Sequence, residues 1–188
     1  MKDFWSEYKK NIGKLLLNQF GAAFLGIMLI MAAWAVRSQK DWLGVVASCL
    51  ATAFYLYLIY NLMWERGGQD RIRIDGGRME RKPMSGFWVI LIANIPNIIL
   101  GILVVVSNPF RESLEWATKM NVISRGILLV WHSMYAGFIS AFSPNNPIVH
   151  LLDVLPALFV GTAGYLVGLS NRRLLHWFSP KQKNDDQK

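Results

Sequence analysis

His150 and Asp153, in the stretch HLLDVLP, stand three residues apart, which puts an imidazole and a carboxylate on one face of a helix. Such a pair can relay a proton or supply two ligands to a metal ion. His132 is the only further histidine inside an apolar stretch, and three dispersed donors make a weak zinc pattern. The plainer expectation is that Asp153 caps its helix or pairs with Arg125. A second polar group is ANIPN, where Asn94 and Asn97 flank Pro96 in the middle of an apolar run. Proline frees a carbonyl and opens a kink, and a nearby asparagine can satisfy that carbonyl or bond across to another helix. Asn94, Asn97 and Asp153 are therefore the expected polar residues at membrane depth, where polar groups are costly enough to mark a possible site. Ala93, Asn97 and Gly101 also recur four apart, which serves helix packing equally well.

The densest charge is WERGGQDRIRIDGGRMERKP, from Trp64 to Pro83. RIRI, DGG and RMER alternate apolar and basic positions about a turn, the pattern of a short β-hairpin in which Ile72, Ile74 and Met79 face the membrane or the bundle. Gly67 and Gly68 would free the chain as it leaves a helix, and Gly76 and Gly77 would supply positive φ. The glycine spacing matches no phosphate-binding loop. Acidic residues Glu65, Asp70, Asp75 and Glu80 offset most of the positive charge, which suits a salt-bridged docking surface better than a lipid tether. Arg66, Arg71, Arg73, Asp75, Arg78 and Arg81 are the expected partner-docking residues.

Enzyme signatures do not emerge. No H-E-x-x-H or G-x-S-x-G pattern occurs, and no acidic pair sits within an apolar run. A single cysteine, Cys49, rules out a disulfide within the chain and reads as a small packing residue. The expectation is a non-enzymatic protein without cofactor, metal or nucleic acid. Its net charge of +8 reflects orientation in a membrane.

The elements that would carry these residues are long apolar segments at about 15–36, 43–63, 86–107, 123–142 and 150–170. Residues 86–107 carry no charge at all, which describes a span and not an amphipathic core helix. If all five crossed, lysine and arginine would divide evenly between the two sides. If 123–142 stays on the outer side, fifteen basic residues face the cytoplasm against five outside. The expected fold is thus all-α, with four transmembrane helices, one re-entrant or interfacial outer-side helix and both termini cytoplasmic; five transmembrane helices are the alternative. One membrane domain would cover 1–176, with a cytoplasmic loop at 64–85 and a polar tail at 177–188. Small residues Gly126, Ser133, Gly137 and Ser140, and again Ala157, Gly161, Gly164 and Gly168, would line packing faces. Asn18, Gln19 and Asn61 would be interfacial, and Trp177 and Phe178 would anchor the inner boundary.

The runs LLLNQFGAAFLG, FYLYLIYNLMWERGGQDRIRIDGGR, ANIPN and LLDVLPALFVGTAGYLVG resemble an uncharacterised family of small polytopic bacterial membrane proteins. The resemblance implies the cytoplasmic (inner) membrane and carries over no activity or site residue. The favoured function is an accessory or scaffold subunit, in contact with the bilayer and docking a protein partner through 64–85. The alternative is a small solute transporter or lipid-handling protein with a polar site in the third span.

Overall fold

The computed structural model describes residues 2–36, 42–142 and 146–170, with side chains from Trp5 onward. Arg37, Lys40, the first three residues of SPNNP, His176, Trp177, Phe178 and the tail 177–188 lie outside the described residues. All regular structure among the described residues is helical. Helix α1 is Lys2–Ala35, α2 Trp42–Asp75, α3 Ser85–Ala93 and α4 Ile95–Ser107; after a 3₁₀ turn come α5 Glu115–Trp131, a second 3₁₀ turn, α6 Ala136–Phe142, α7 Val149–Leu152 and α8 Leu155–Leu169. Three helices are long and apolar enough to cross a membrane, or up to five if α3–α4 and α5–α6 each count as one bent span.

The surface is apolar where a soluble protein would be polar. Leu17, Phe20, Phe24, Met28, Met31 and Trp34 follow one another at helical spacing on α1, each more than half exposed. Gln19, on the same helix, is buried. A stripe of this kind is tolerated only against an apolar surround.

Helix α2 overturns the expected hairpin. At 34 residues it is about 51 Å long, well beyond the roughly 30 Å of a hydrocarbon core, and it stays helical through the charged stretch to Asp75. Ion pairs Arg66–Asp70 and Arg71–Asp75, one turn apart, suit the helix better than a strand. Gly67 is no hinge: a Cβ there would collide with the Tyr165 carbonyl, so the glycine lets α2 and α8 touch. The helix ends where Gly77 takes φ +67°, with Gly77 N–H donating to the Ile74 carbonyl and Arg78 N–H to the Arg73 carbonyl. Those two bonds form a Schellman cap, so the expected positive φ is present at Gly77 but closes a helix instead of a hairpin. Ile74 and Met79 pack on the core, while Ile72 is exposed.

Close approaches give the direction of each helix. Gly161 meets Ile59 of α2, Gly164 meets Tyr60 and Gly168 meets Trp64, so α8 runs parallel to α2. Gly86 and Ile90 of α3 meet Tyr165 and Gly161 respectively, so α3 runs antiparallel to α8. The Ala157 to Gly168 face is buried throughout.

Two expected segments are broken. The segment 86–107 bends by 55° between α3 and α4, at Asn94, with Pro96 in the first turn of α4, where its missing N–H costs least. The segment 123–142 begins earlier, at Glu115, and bends by 80° about Ser133–Tyr135. Gly126 faces open space, contrary to the packing role expected of it, whereas Gly137 lies hard against Gly44 and its N–H donates to Ser48 Oγ at 2.7 Å.

Candidate functional site

Three helix interruptions fall at polar residues singled out in the sequence. Asn94 ends α3, His132 ends α5 and Asp153 ends α7. At such breaks backbone groups lose their helical partners, and a polar side chain can approach them.

Two of these breaks converge. His132, 3 % exposed, presents Nδ1 to Asp153 Oδ2 at 3.6 Å, and the Asp153 side chain is 10 % exposed. That separation is too long for a hydrogen bond. One ligating atom from each of His132, His150 and Asp153 lies within 4.8 Å of the other two. His132 Nδ1, His150 Nδ1 and Asp153 Oδ2 are all buried without a hydrogen-bond partner, as is the Tyr135 hydroxyl. The Tyr135 ring stands edge-on to His132, centroids 6.1 Å apart. His132 is held from two sides: its N–H donates to the Leu128 carbonyl at 2.7 Å, and the neighbouring Ser133 Oγ donates to the Ala23 carbonyl of α1. His150 and Asp153 come from α7 and its C-terminal cap, and the His150 backbone packs against Gly101 of α4.

The expected Asp153–Arg125 contact is replaced. Arg125 donates through Nη2 to Asn108 Oδ1 at 3.0 Å, tying α5 to the end of α4. Asn121 Nδ2 reinforces that junction by donating to the Val104 carbonyl and to Ser107 Oγ.

Asn94 and Asn97 serve the kink. Asn94 Nδ2 donates to the Ile90 carbonyl at 2.9 Å, and Asn97 Nδ2 donates to Asn94 Oδ1 at 2.8 Å. Both are buried, and only Asn97 Oδ1 is left without a partner. The pair bridges the bend, tying the end of α3 to the first turn of α4.

At the opposite end of α2 the docking residues expected from the sequence are largely engaged. Asp70, fully buried, accepts from Tyr8 Oη at 2.9 Å and from Tyr165 Oη at 3.0 Å, and pairs with Arg66 at 2.8 Å. Arg66 is itself buried, with its guanidinium over the Tyr8 ring at 4.5 Å. Glu7 pairs with Arg66 at 3.3 Å and with Arg73 at 2.6 Å. Arg66 and Arg73 thus clamp α1 to α2, and Arg71 binds Asp75 along one helix; Arg78 and Arg81 stay exposed. A cavity of about 360 Å³ opens beside this clamp, with Lys9, Lys10 and Lys14 on its α1 wall.

Two other expectations are corrected. Cys49 is exposed on α2 and is not a packing residue. Gln19 is buried in the helix bundle and is not interfacial. The Tyr8–Asp70–Tyr165 network has no local signature in the sequence because Tyr8 and Tyr165 lie 62 and 95 residues from Asp70, whereas the four-residue spacing of Arg66 and Asp70 is a helical ion-pair pattern. No family model, curated protein or solved structure matches this chain.

Proposed function

We propose that the chain is a multi-pass membrane protein that binds, without transforming it, a small ionic or polar solute between His132, His150 and Asp153. One observation carries this reading: His132, His150 and Asp153 bring ligating atoms within 4.8 Å of one another where helices are interrupted, and each has a buried polar atom without a hydrogen-bond partner. Burying an imidazole or a carboxylate unpaired costs several kcal/mol, roughly, and a bound solute removes that cost. Interrupted helices are also how membrane carriers build polar sites away from water.

The topology that suits this site has four crossings, α1, α2, α3–α4 and α7–α8, with α5–α6 as a re-entrant outer-side arm. Supporting it, Ser133 and Met134 touch α1 at Ala23 and Gly26, after which Gly137 has turned back along α2 to Ser48 and Gly44. The distribution of lysine and arginine favours the same arrangement, with both termini on the cytoplasmic side of a bacterial inner membrane. Docking of a protein partner through 64–85 has less support, because Arg66, Arg71 and Arg73 are engaged within the chain.

The test is gentle extraction followed by native mass spectrometry, and flux of protons, Na⁺ and Zn²⁺ into vesicles carrying the full-length protein. A retained species or a flux abolished by Asp153→Asn supports the reading. Neither retention nor flux, in a protein that remains folded, sinks it.

A further inference from the structure

We infer that the solute is a divalent d-block cation of the zinc class, ligated by His132, His150 and Asp153; this inference rests on the binding role proposed above. The donor set is the first reason. Two imidazole nitrogens and one carboxylate oxygen suit Zn²⁺ and its neighbours, whereas Mg²⁺ and Ca²⁺ take mostly oxygen. Metal–ligand bonds of about 2.0–2.2 Å in a tetrahedral site set ligand atoms roughly 3.3 Å apart. The His132–Asp153 separation of 3.6 Å is close to that spacing, and the whole set lies within 4.8 Å.

Burial without partners is the second reason. A proton shared between His132 and Asp153 would account for that pair but would leave His150 Nδ1 buried and unsatisfied. A cation ligated through His132 Nδ1, His150 Nδ1 and Asp153 Oδ2 would satisfy all three atoms at once. Its charge also offsets the buried carboxylate of Asp153, which has no hydrogen-bond donor at Oδ2.

Positioning is the third. The ligands come from two arms, the α5 terminus tied to α1 through Ser133 and the α7 turn packed against Gly101. Three protein ligands leave one coordination position open, as in sites that exchange a water or solute. The unpartnered Tyr135 hydroxyl belongs to the same buried region, its ring against His132.

The experiment uses the full chain with an affinity tag free of histidine, purified in detergent and stripped with a chelator. Co²⁺ is titrated while its visible absorption is followed, and Zn²⁺ is then counted by elemental mass spectrometry. One ion per chain is expected, with Zn²⁺ displacing Co²⁺. His150→Gln and Asp153→Asn should each weaken binding at least about 100-fold, since ligand loss exceeds the 10–100-fold cost of losing an outer-shell partner. Asn97→Ala should bind as the parent does. Thermal melting without metal checks that the variants fold, and His150→Gln, at a partly buried position, serves if changes at His132 prevent folding. Absence of a stoichiometric ion, or binding indifferent to both variants, overturns the metal assignment. Retention of a different solute lost in Asp153→Asn would also overturn it while leaving the binding role intact. Stoichiometric Co²⁺ without Zn²⁺ flux supports the site and limits the role to holding the ion.

Discussion

Replacing Asp70 by alanine tests the clamp at the end of α2. The carboxylate is fully buried and serves three partners, accepting from Tyr8 and Tyr165 and pairing with Arg66. Its removal leaves two buried hydroxyls without that acceptor and strands a buried guanidinium whose remaining partner is Glu7 at 3.3 Å. Breaking a buried ion pair from one side costs about 3–5 kcal/mol, and the surviving Glu7 contact moves the expectation to the lower half of that range. A hydrogen bond to a charged acceptor contributes about 1.5–3 kcal/mol, so Tyr8→Phe and Tyr165→Phe should each cost about 1.5 kcal/mol alone. In the Asp70→Ala background the same tyrosine changes should cost less, because the bond to Asp70 is already gone while other contacts, such as Tyr165 Oη to the Lys82 carbonyl, persist. That difference is a coupling of up to about 1.5 kcal/mol per tyrosine, readable in a double-mutant cycle from reversible unfolding in mixed micelles. Full additivity of Asp70→Ala with either tyrosine change would refute the network, as would an Asp70→Ala protein as stable as the parent.

Further outcomes follow from the packing. Gly168→Leu should destabilise the α2–α8 contact by at least about 2 kcal/mol, because its Cβ would meet the Trp64 carbonyl; an unchanged melting temperature would show that the helices do not pack there. Asn97→Ala removes one buried bond within the kink and should cost about 1 kcal/mol without altering ion binding, and a larger loss in binding than in stability would place Asn97 in the site. Reporters inserted after Gly77 and after Ser170 should face the same side of the membrane, since α2 and α8 run parallel; opposite readings would reject the four-crossing topology. Cys49, exposed on an apolar helix, should resist a water-soluble maleimide in vesicles and react once in detergent, and equal rates would place it in water.

The helical, membrane character was legible because it depends on composition within single segments: a span must bring enough apolar surface for its own length. The kink near ANIPN was legible for the same local reason, and so was the packing face from Ala157 to Gly168, where spacing alone lines up small residues. The charged stretch after Trp64 misled because alternation and glycines carry two meanings. Gly67 allows a close crossing only if α8 lies beside it, and the arginines stay helical because Asp70, Asp75 and Glu7 receive them. His132 was an isolated histidine in sequence, eighteen residues before His150; an 80° bend after α5 and the turn that follows α7 bring both to Asp153. Hydrophobic patterning states which segments leave water, since each residue bears that cost by itself. Which polar groups meet inside depends on helix crossings between residues far apart in the chain, and only the tertiary structure decides those.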